Sequence, residues 1–273
     1  RVPVFGTLEE FYAVRRADLA VIASPIHFHC SQTCLALSQG SHVLCEKPAA
    51  ASIQEVRRML RAKRRSGRLV AVGFQWSFSE AVRKLKADIL SGVLGRPLRL
   101  RCLYLWSRDE AYYLRNDWAG KKRDILGRWI LDSPANNALA HDLHNMLFVL
   151  GRSHDRCAPP VRVQAELYRA HDIENYDTAA CRIRTSEGAE VLFYASHAVD
   201  LDLGPVFSYE FEKGTVFAAG RQASVTAFLK NGSVRPYGRP DREPFKKLWD
   251  FMAAARRGGS PSCGLEAASG QVL

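Results

Sequence analysis

Two clusters of polar residues in this chain have types and spacings suited to proton chemistry. The first is Cys45-Glu46-Lys47-Pro48. It follows a short apolar run, so its lysine stands at a strand end beside an acid and is fixed by a proline. A lysine partly withdrawn from water gives up its proton more readily and can then take part in proton transfer. The second is Asn136-Asn137-Ala-Leu-Ala-His141-Asp142-Leu-His144-Asn145. On a continuous helix Asn137, His141 and His144 fall at i, i+4 and i+7, on one face, while Leu139, Leu143, Met146, Leu147 and Leu150 pack on the other. Imidazoles and an amide aligned in this way suit acid–base work on a hydroxylated ligand. His141, His144 and Asp142 also suggest a metal, but no third ligand is evident in the spacing, and none is expected. Taken singly, each has a plainer reading: a strand-end lysine in solvent, a histidine in a core.

The elements around them alternate. Residues 19–24 form an apolar run ending at Pro25, which predicts a strand buried on both faces. A helix over 30–38 follows, closed by Gly40, then a strand over 42–45. Ser52 with Glu55 three residues on has the form of a capping box for a helix reaching 66. A strand over 69–74 and a helix over 80–90 complete the series. Strands separated by helices of this length predict a parallel sheet, with ligands beyond the carboxyl ends of its strands. Chemistry is therefore expected at Ser24-Pro25-Ile26-His27, at Glu46-Lys47-Pro48 and at Gln75-Trp76.

From about residue 97 the pattern changes. Strand-like runs are expected at 98–106, 161–169, 176–184, 189–197, 206–212 and 224–228, with Glu187-Gly188 as a tight turn and one long helix over 134–150. The expected fold class is α/β: an incomplete Rossmann-type parallel-sheet domain over 1–95, then an α+β domain with a mainly antiparallel open sheet over 96–273.

Composition narrows the partners. Of 273 residues 47% are hydrophobic and 25% charged, the proportions of an ordinary globular protein. The net charge of +11 is concentrated at Arg57, Arg58, Arg61, Lys63, Arg64, Arg65 and Arg68, in one helical stretch without interleaved aromatics. That is a solvated helix face, so no nucleic-acid partner is expected. No apolar run is long enough for a membrane helix, and no membrane partner is expected. Seven cysteines, scattered and without a C-x-x-C pair, predict free thiols in a reducing, cytoplasmic setting. The chain opens at Arg1 without a methionine, which leaves an upstream export signal open.

In order and spacing these motifs resemble the glucose–fructose oxidoreductase and inositol dehydrogenase family (Gfo/Idh/MocA). The resemblance is carried by Ala23-Ser24-Pro25-Ile26-His27-Phe28-His29, then Gly40-Ser-His-Val-Leu-Cys-Glu-Lys-Pro48, Gly73-Phe-Gln75, Leu90-Ser-Gly-Val-Leu-Gly95, His141 ten residues before Gly151, and Asn175-Tyr-Asp177-Thr-Ala. It implies an NAD- or NADP-dependent oxidoreductase that moves a hydride between the cofactor and a secondary hydroxyl of a sugar, cyclitol or related polyol. A glycoside-cleaving relative and a non-catalytic ligand-binding relative are the alternatives. The resemblance assigns Lys47 and His141 as catalytic. Ser24, Pro25, His29, Glu46, Lys47, Pro48 and Gln75 would hold the cofactor, with Pro48 in a strained or cis peptide. Asn137, His144, Asn145 and Trp76 would hold the substrate. It also implies a homodimer or homotetramer. Two departures stand out. Asn137 replaces the aspartate usual four residues before the histidine, and His144 replaces the aspartate usual three after it, which makes His144 an alternative base. The Gly-x-Gly-x-x-Gly turn that opens the family's first domain is not in this sequence, and is expected upstream of Arg1.

Overall fold

The computed structural model describes residues 2–273. Along the chain, α1 (Leu8–Val14) leads into β1 (Leu19–Ile22), α2 (Ile26–Ser38), β2 (His42–Cys45), α3 (Ile53–Ser66) and β3 (Val70–Val72). β1, β2 and β3 form a parallel sheet in that order, with Ile22 level with Cys45 and Cys45 with Val72. Their carboxyl ends therefore finish on one line. The sequence explains the helices between them. Ser52 accepts from the Glu55 N–H, the Glu55 carboxylate returns to the Ser52 N–H, and Gly67 ends α3 in the left-handed region at φ +67°.

A 3-10 turn (Gln75–Phe78) leads into α4 (Glu80–Leu90), capped by the Ser79 hydroxyl, and then into β4 (Pro97–Leu105) and α5 (Glu110–Leu114). A π-type turn (Pro134–Ala138) precedes α6 (Ala140–Val149). Seven further strands follow: β5 (Pro160–Tyr168), β6 (Thr178–Thr185), β7 (Glu190–Ser196), β8 (Leu203–Phe211), β9 (Gly214–Ala219), β10 (Val225–Leu229) and β11 (Val234–Gly238). With β4 they make an eight-stranded sheet, ordered β11-β10-β9-β8-β4-β7-β6-β5. Only the β4–β7 pair is parallel. One face turns Leu100, Cys102, Cys181, Ile183, Phe193, Phe207 and Tyr209 inward. The other carries ion pairs across the strands, Glu190 taking Arg99 at 2.5 Å and Arg182 at 2.6 Å. At surface exposure such pairs contribute only about 0.2–1 kcal/mol each. Fold specificity comes instead from the inward face, where burying one phenylalanine is worth about 1.5–3 kcal/mol.

α7 (Lys246–Arg257) and α8 (Leu265–Val272) then pack back against the first sheet. The Val72 N–H donates to the Cys263 carbonyl at 2.8 Å, and Lys63 pairs with Glu266 at 2.8 Å. A helix running to the end of the chain is expected from the sequence, whereas α7, β9 and β11 are not.

Two expected elements need correction. α2 begins at Ile26 rather than 30, because Pro25, at φ −58°, already has a helix-compatible torsion and its carbonyl accepts from the Phe28 N–H. His27 and His29 are therefore helical. The single helix over 134–150 is broken at Leu139 (φ −111°, ψ 17°). The Leu139 N–H reaches five residues back to the Pro134 carbonyl, and the Asn137 carbonyl accepts from Lys47. The break takes Asn137 out of register with the two histidines.

Candidate active site

β2 ends at Cys45, and the following Glu46-Lys47-Pro48 loop contains a cis Lys47–Pro48 peptide. Gly73 permits this loop to lie against β3, since a β-carbon there would sit 2.5 Å from a Glu46 carboxylate oxygen and 3.1 Å from the Glu46 Cα. Glu46 is held by Lys247 of α7.

Lys47 turns toward the π-type turn. Its Nζ donates to the Asn137 carbonyl at 2.6 Å and to Asn137 Oδ1 at 2.9 Å. Asn137 is oriented from behind, its Nδ2 donating to Asp132 Oδ1 at 2.6 Å. Asp132 is buried and accepts the Gly120 N–H at 2.7 Å through its other oxygen. Leu131, just before it, holds φ +52°, and its carbonyl accepts from Asn136 Nδ2 at 3.2 Å. A non-glycine residue in this region is uncommon and marks a loop fixed by its surroundings. Burial lowers the Lys47 pKa to about 8, opposed by the negative charges of Asp132, Glu46 and Asp142.

His141 opens α6 and meets Phe74 edge-on at 5.6 Å. Its Nδ1 is buried without a hydrogen-bond partner. Burial, then the Lys47 charge, keep its pKa well below the usual value, so the imidazole is neutral at pH 7. Asp142 was considered in the sequence only as a metal ligand. It is 3% exposed with Oδ1 unpartnered, and burial raises its pKa to about 7 against the charges of Lys47 and Arg221. Among the described residues no group of three His, Cys, Asp or Glu side chains is arranged to hold a metal ion.

The other expected site residues divide. Trp76 and Gln75 lie on the 3-10 turn past β3, half-buried, with Trp76 edge-on to Phe207 of the second sheet at 5.8 Å. Ser24 follows β1, its hydroxyl donating to Gln32 at 2.6 Å. Three residues expected at the ligand are buried and bonded within the protein. His144 is 1% exposed, stacks on Phe74 at 3.9 Å and bonds Ser77 Oγ at 2.9 Å. Burial lowers its pKa to about 3, so its ring is neutral at pH 7 and packed in the core. Asn145 is 5% exposed and donates to the Tyr209 hydroxyl at 3.2 Å. His29 is 1% exposed, with each ring nitrogen 2.8 Å from a carbonyl oxygen, that of Pro48 and that of Ser24. It braces the loops after β1 and β2.

A partial parallel sheet with Lys47 at its carboxyl edge is joined to an open, mainly antiparallel sheet in a two-lobed architecture. The chain belongs to the Gfo/Idh/MocA family: residues 1–74 match the oxidoreductase family's NAD-binding Rossmann fold, and residues 82–217 match the GFO/IDH/MocA C-terminal domain. Among curated proteins it is 35% identical over 80 residues to D-glucoside 3-dehydrogenase of Escherichia coli (strain K12), covering 29% of this chain and 23% of that protein. It is 30% identical over 152 residues to inositol 2-dehydrogenase of Burkholderia ambifaria (strain MC40-6), covering 55% and 40%. The matched stretches thus span less than half of these relatives. The solved WlbA dehydrogenase from Bordetella pertussis, in complex with NADH and UDP-GlcNAcA, superposes with a TM-score of 0.78 at 21% identity, covering 98% of this chain and 78% of that one. An NAD binding oxidoreductase from Klebsiella pneumoniae gives 0.79 at 20% identity, covering 98% and 78%. At such identity these structures speak for the fold alone.

Proposed function

We propose that this chain acts as a nicotinamide-dependent oxidoreductase on a secondary hydroxyl of a sugar, cyclitol or related polyol, with Lys47 as the proton acceptor. The observation that carries this reading is the pair of bonds from Lys47 Nζ to the two oxygens of Asn137. In the neutral amine both N–H groups are then occupied, which leaves the lone pair for the carbinol proton. A pKa of about 8 suits a base working near neutrality, whereas His141, far lower, is the poorer proton acceptor. His141 fits instead as a hydrogen-bond acceptor that orients the hydroxyl through Nε2, its Nδ1 being sealed in the interior. Once Lys47 takes the proton, the ammonium is held by Asn137 with the Asp132 charge behind it. Asn137 in place of aspartate has a physical consequence here. A carboxylate in contact with Lys47 would hold the ammonium and raise its pKa, whereas an amide accepts the hydrogen bond without adding charge.

The chain's polar groups fit the nicotinamide end of a dinucleotide. Lys47 lies past the carboxyl end of a parallel strand, where such ligands bind. Ser24, Pro25, Glu46, Lys47, Pro48 and Gln75 would hold the cofactor, and Asn137 and Trp76 would face the substrate. When bound, NAD or NADP supplies the hydride acceptor. The curated relatives named for glucoside and inositol dehydrogenation support this substrate class.

We place the domain boundary at 95/96, with α7 and α8 completing the first lobe. Seven free cysteines support a cytoplasmic location. Among the described residues no helix is long and apolar enough to cross a membrane. The exposed Tyr168, Tyr194 and Phe217 on the outer face of the large sheet support a homodimer or homotetramer.

The test is dinucleotide reduction with a panel of polyols and glycosides, paired with native mass spectrometry for bound NAD or NADP. Lys47→Ala is expected to lower kcat at least 100-fold in a folded protein. Turnover unchanged by that substitution refutes the mechanism.

A further inference from the structure

Beyond the proton-handling groups, two guanidiniums share one aromatic ring, and neither has a carboxylate within hydrogen-bonding distance. Trp106, Ser107 and Arg108 leave the carboxyl end of β4 and are stitched to the end of β7. The Trp106 N–H donates to the Ser196 carbonyl at 2.9 Å and the Arg108 N–H to the His197 carbonyl at 3.1 Å, while His197 Nδ1 lies 2.7 Å from the Trp106 carbonyl. This fixed backbone presents the Trp106 ring. The Arg108 guanidinium lies 3.6 Å from its centroid and 4.4 Å from that of Tyr112. Arg221, in the turn after β9, reaches the same ring at 4.1 Å and Tyr104 at 5.7 Å.

Three arginines of this sheet are paired, Arg99 and Arg182 with Glu190 at 2.5 and 2.6 Å and Arg101 with Glu210. Arg108 contacts no carboxylate among the described residues. Its Nε is buried without a partner, and its side chain makes only a long bond, 3.5 Å, to the Ser107 carbonyl. The one carboxylate near Arg221 among the described residues is Asp202, at 3.9 Å, beyond hydrogen-bonding distance, and its other oxygen accepts the Ser107 N–H at 2.8 Å. A buried guanidinium N–H left unpaired is costly, and a cation held over an aromatic ring is already partly stripped of water. Both conditions favour an incoming anion, which a guanidinium grips through parallel N–H bonds.

The location ties this pair to the candidate active site. Asp142, the residue after His141, feels the charges of both Lys47 and Arg221. Tyr112, on the other side of Arg108, lines a small closed cavity with Asp132 and Ala138, beside Asn137. We propose that Arg108 and Arg221, seated on Trp106, form an anion subsite, so that the sugar or polyol substrate carries a carboxylate or phosphate group. This rests on the oxidoreductase reading and specifies its substrate class.

The experiment compares three substrates with NAD and NADP: myo-inositol as the neutral polyol, glucuronate for the carboxylate, and glucose 6-phosphate for the phosphate. Wild type is compared with Arg108→Met and Arg221→Met, which keep an unbranched chain against the ring. At least one acid is expected to exceed inositol tenfold or more in kcat/KM, and the better acid identifies the anionic group. Each substitution is expected to lower that acid-to-neutral ratio at least tenfold, through KM. Tryptophan fluorescence titration with the two acids and with inositol provides a readout that needs no turnover. Acid binding that both substitutions weaken, without reduction of either dinucleotide, supports the subsite and refutes the oxidoreductase reading. Inositol turned over or bound as well as both acids overturns the proposal. So does a substitution that lowers melting temperature and leaves the ratio unmoved, because the arginines would then be purely structural.

Discussion

Asp132 touches no substrate in this reading, yet it should control when Lys47 ionises. Asp132→Asn removes one negative charge and keeps the shape of the side chain. From Lys47 Nζ the path runs 2.9 Å to Asn137 Oδ1, across the amide, then 2.6 Å to Asp132. The charges are therefore about 7 Å apart, and at an effective dielectric constant of about 20 they attract by about 2.4 kcal/mol. Undamped, that equals about 1.7 pKa units, and with water and side-chain relaxation about one unit is expected. The sign is fixed: without the carboxylate the ammonium is less favoured, so the Lys47 pKa falls from about 8 toward about 7. If neutral Lys47 is the base, kcat/KM for polyol oxidation rises through its pKa. The inflection should move from about pH 8 to about pH 7, giving a variant faster than wild type near pH 7 and slower on the alkaline plateau, where the weaker base is at a disadvantage. The assay is the pH profile of kcat/KM for both proteins, with melting curves to confirm folding. An inflection that stays in place in folded Asp132→Asn refutes the relay. Moving the charge one step closer, in the double variant Asp132→Asn with Asn137→Asp, should raise the inflection above the wild-type position.

Three further outcomes follow from the geometry. His141→Ala should lower kcat about 100-fold or more, whereas His144→Phe keeps the stack on Phe74 and should alter kcat less than threefold, at a stability cost of about 1 kcal/mol for the unpaired Ser77 hydroxyl; steady-state kinetics and urea unfolding separate them. His144 also sets an acid limit. Its folded pKa of about 3 lies below the ordinary 6.5, so the unfolded state binds the extra proton, and stability falls as pH drops from 6.5 toward 3 by up to about 1.4 kcal/mol per pH unit. His144→Phe should flatten that slope by about one proton in unfolding curves measured between pH 4 and 6. Gly73→Ala forces a β-carbon against the Glu46 carboxylate and backbone, and should cost about 1–3 kcal/mol of stability in chemical denaturation while shifting Lys47 and lowering kcat.

What the sequence made legible was local. The Ser52–Glu55 capping box, the apolar strand over 42–45 and the helix over 80–90 depend on neighbouring residues, and each stands in the structure where its pattern placed it. The lysine at a strand mouth was legible for the same reason. The break at Leu139 was not, because a side chain 90 residues away takes the Asn137 carbonyl. Nor was the burial of His144, whose spacing from His141 is the same in a core as in a cleft. Asp132 and Arg108 carry no motif, and their roles arise only where Asn137 and Trp106 meet them. The strand β11 reads VRPYG, with three exposed positions, and offers little alternation to detect.

The return of α7 to the first lobe bears on how the protein is made. Glu46, one residue before the proposed base, is secured by Lys247, and the edge of β3 is finished by Cys263. A ribosome emits the Glu46-Lys47-Pro48 loop some 200 residues before its last supports. During that interval the nascent first lobe exposes the apolar surfaces that α7 and α8 later cover, while the large sheet forms between them. The two lobes are thus consecutive in space but interleaved in time, and a nascent chain stopped before α7 should depend on chaperones and lack a settled site.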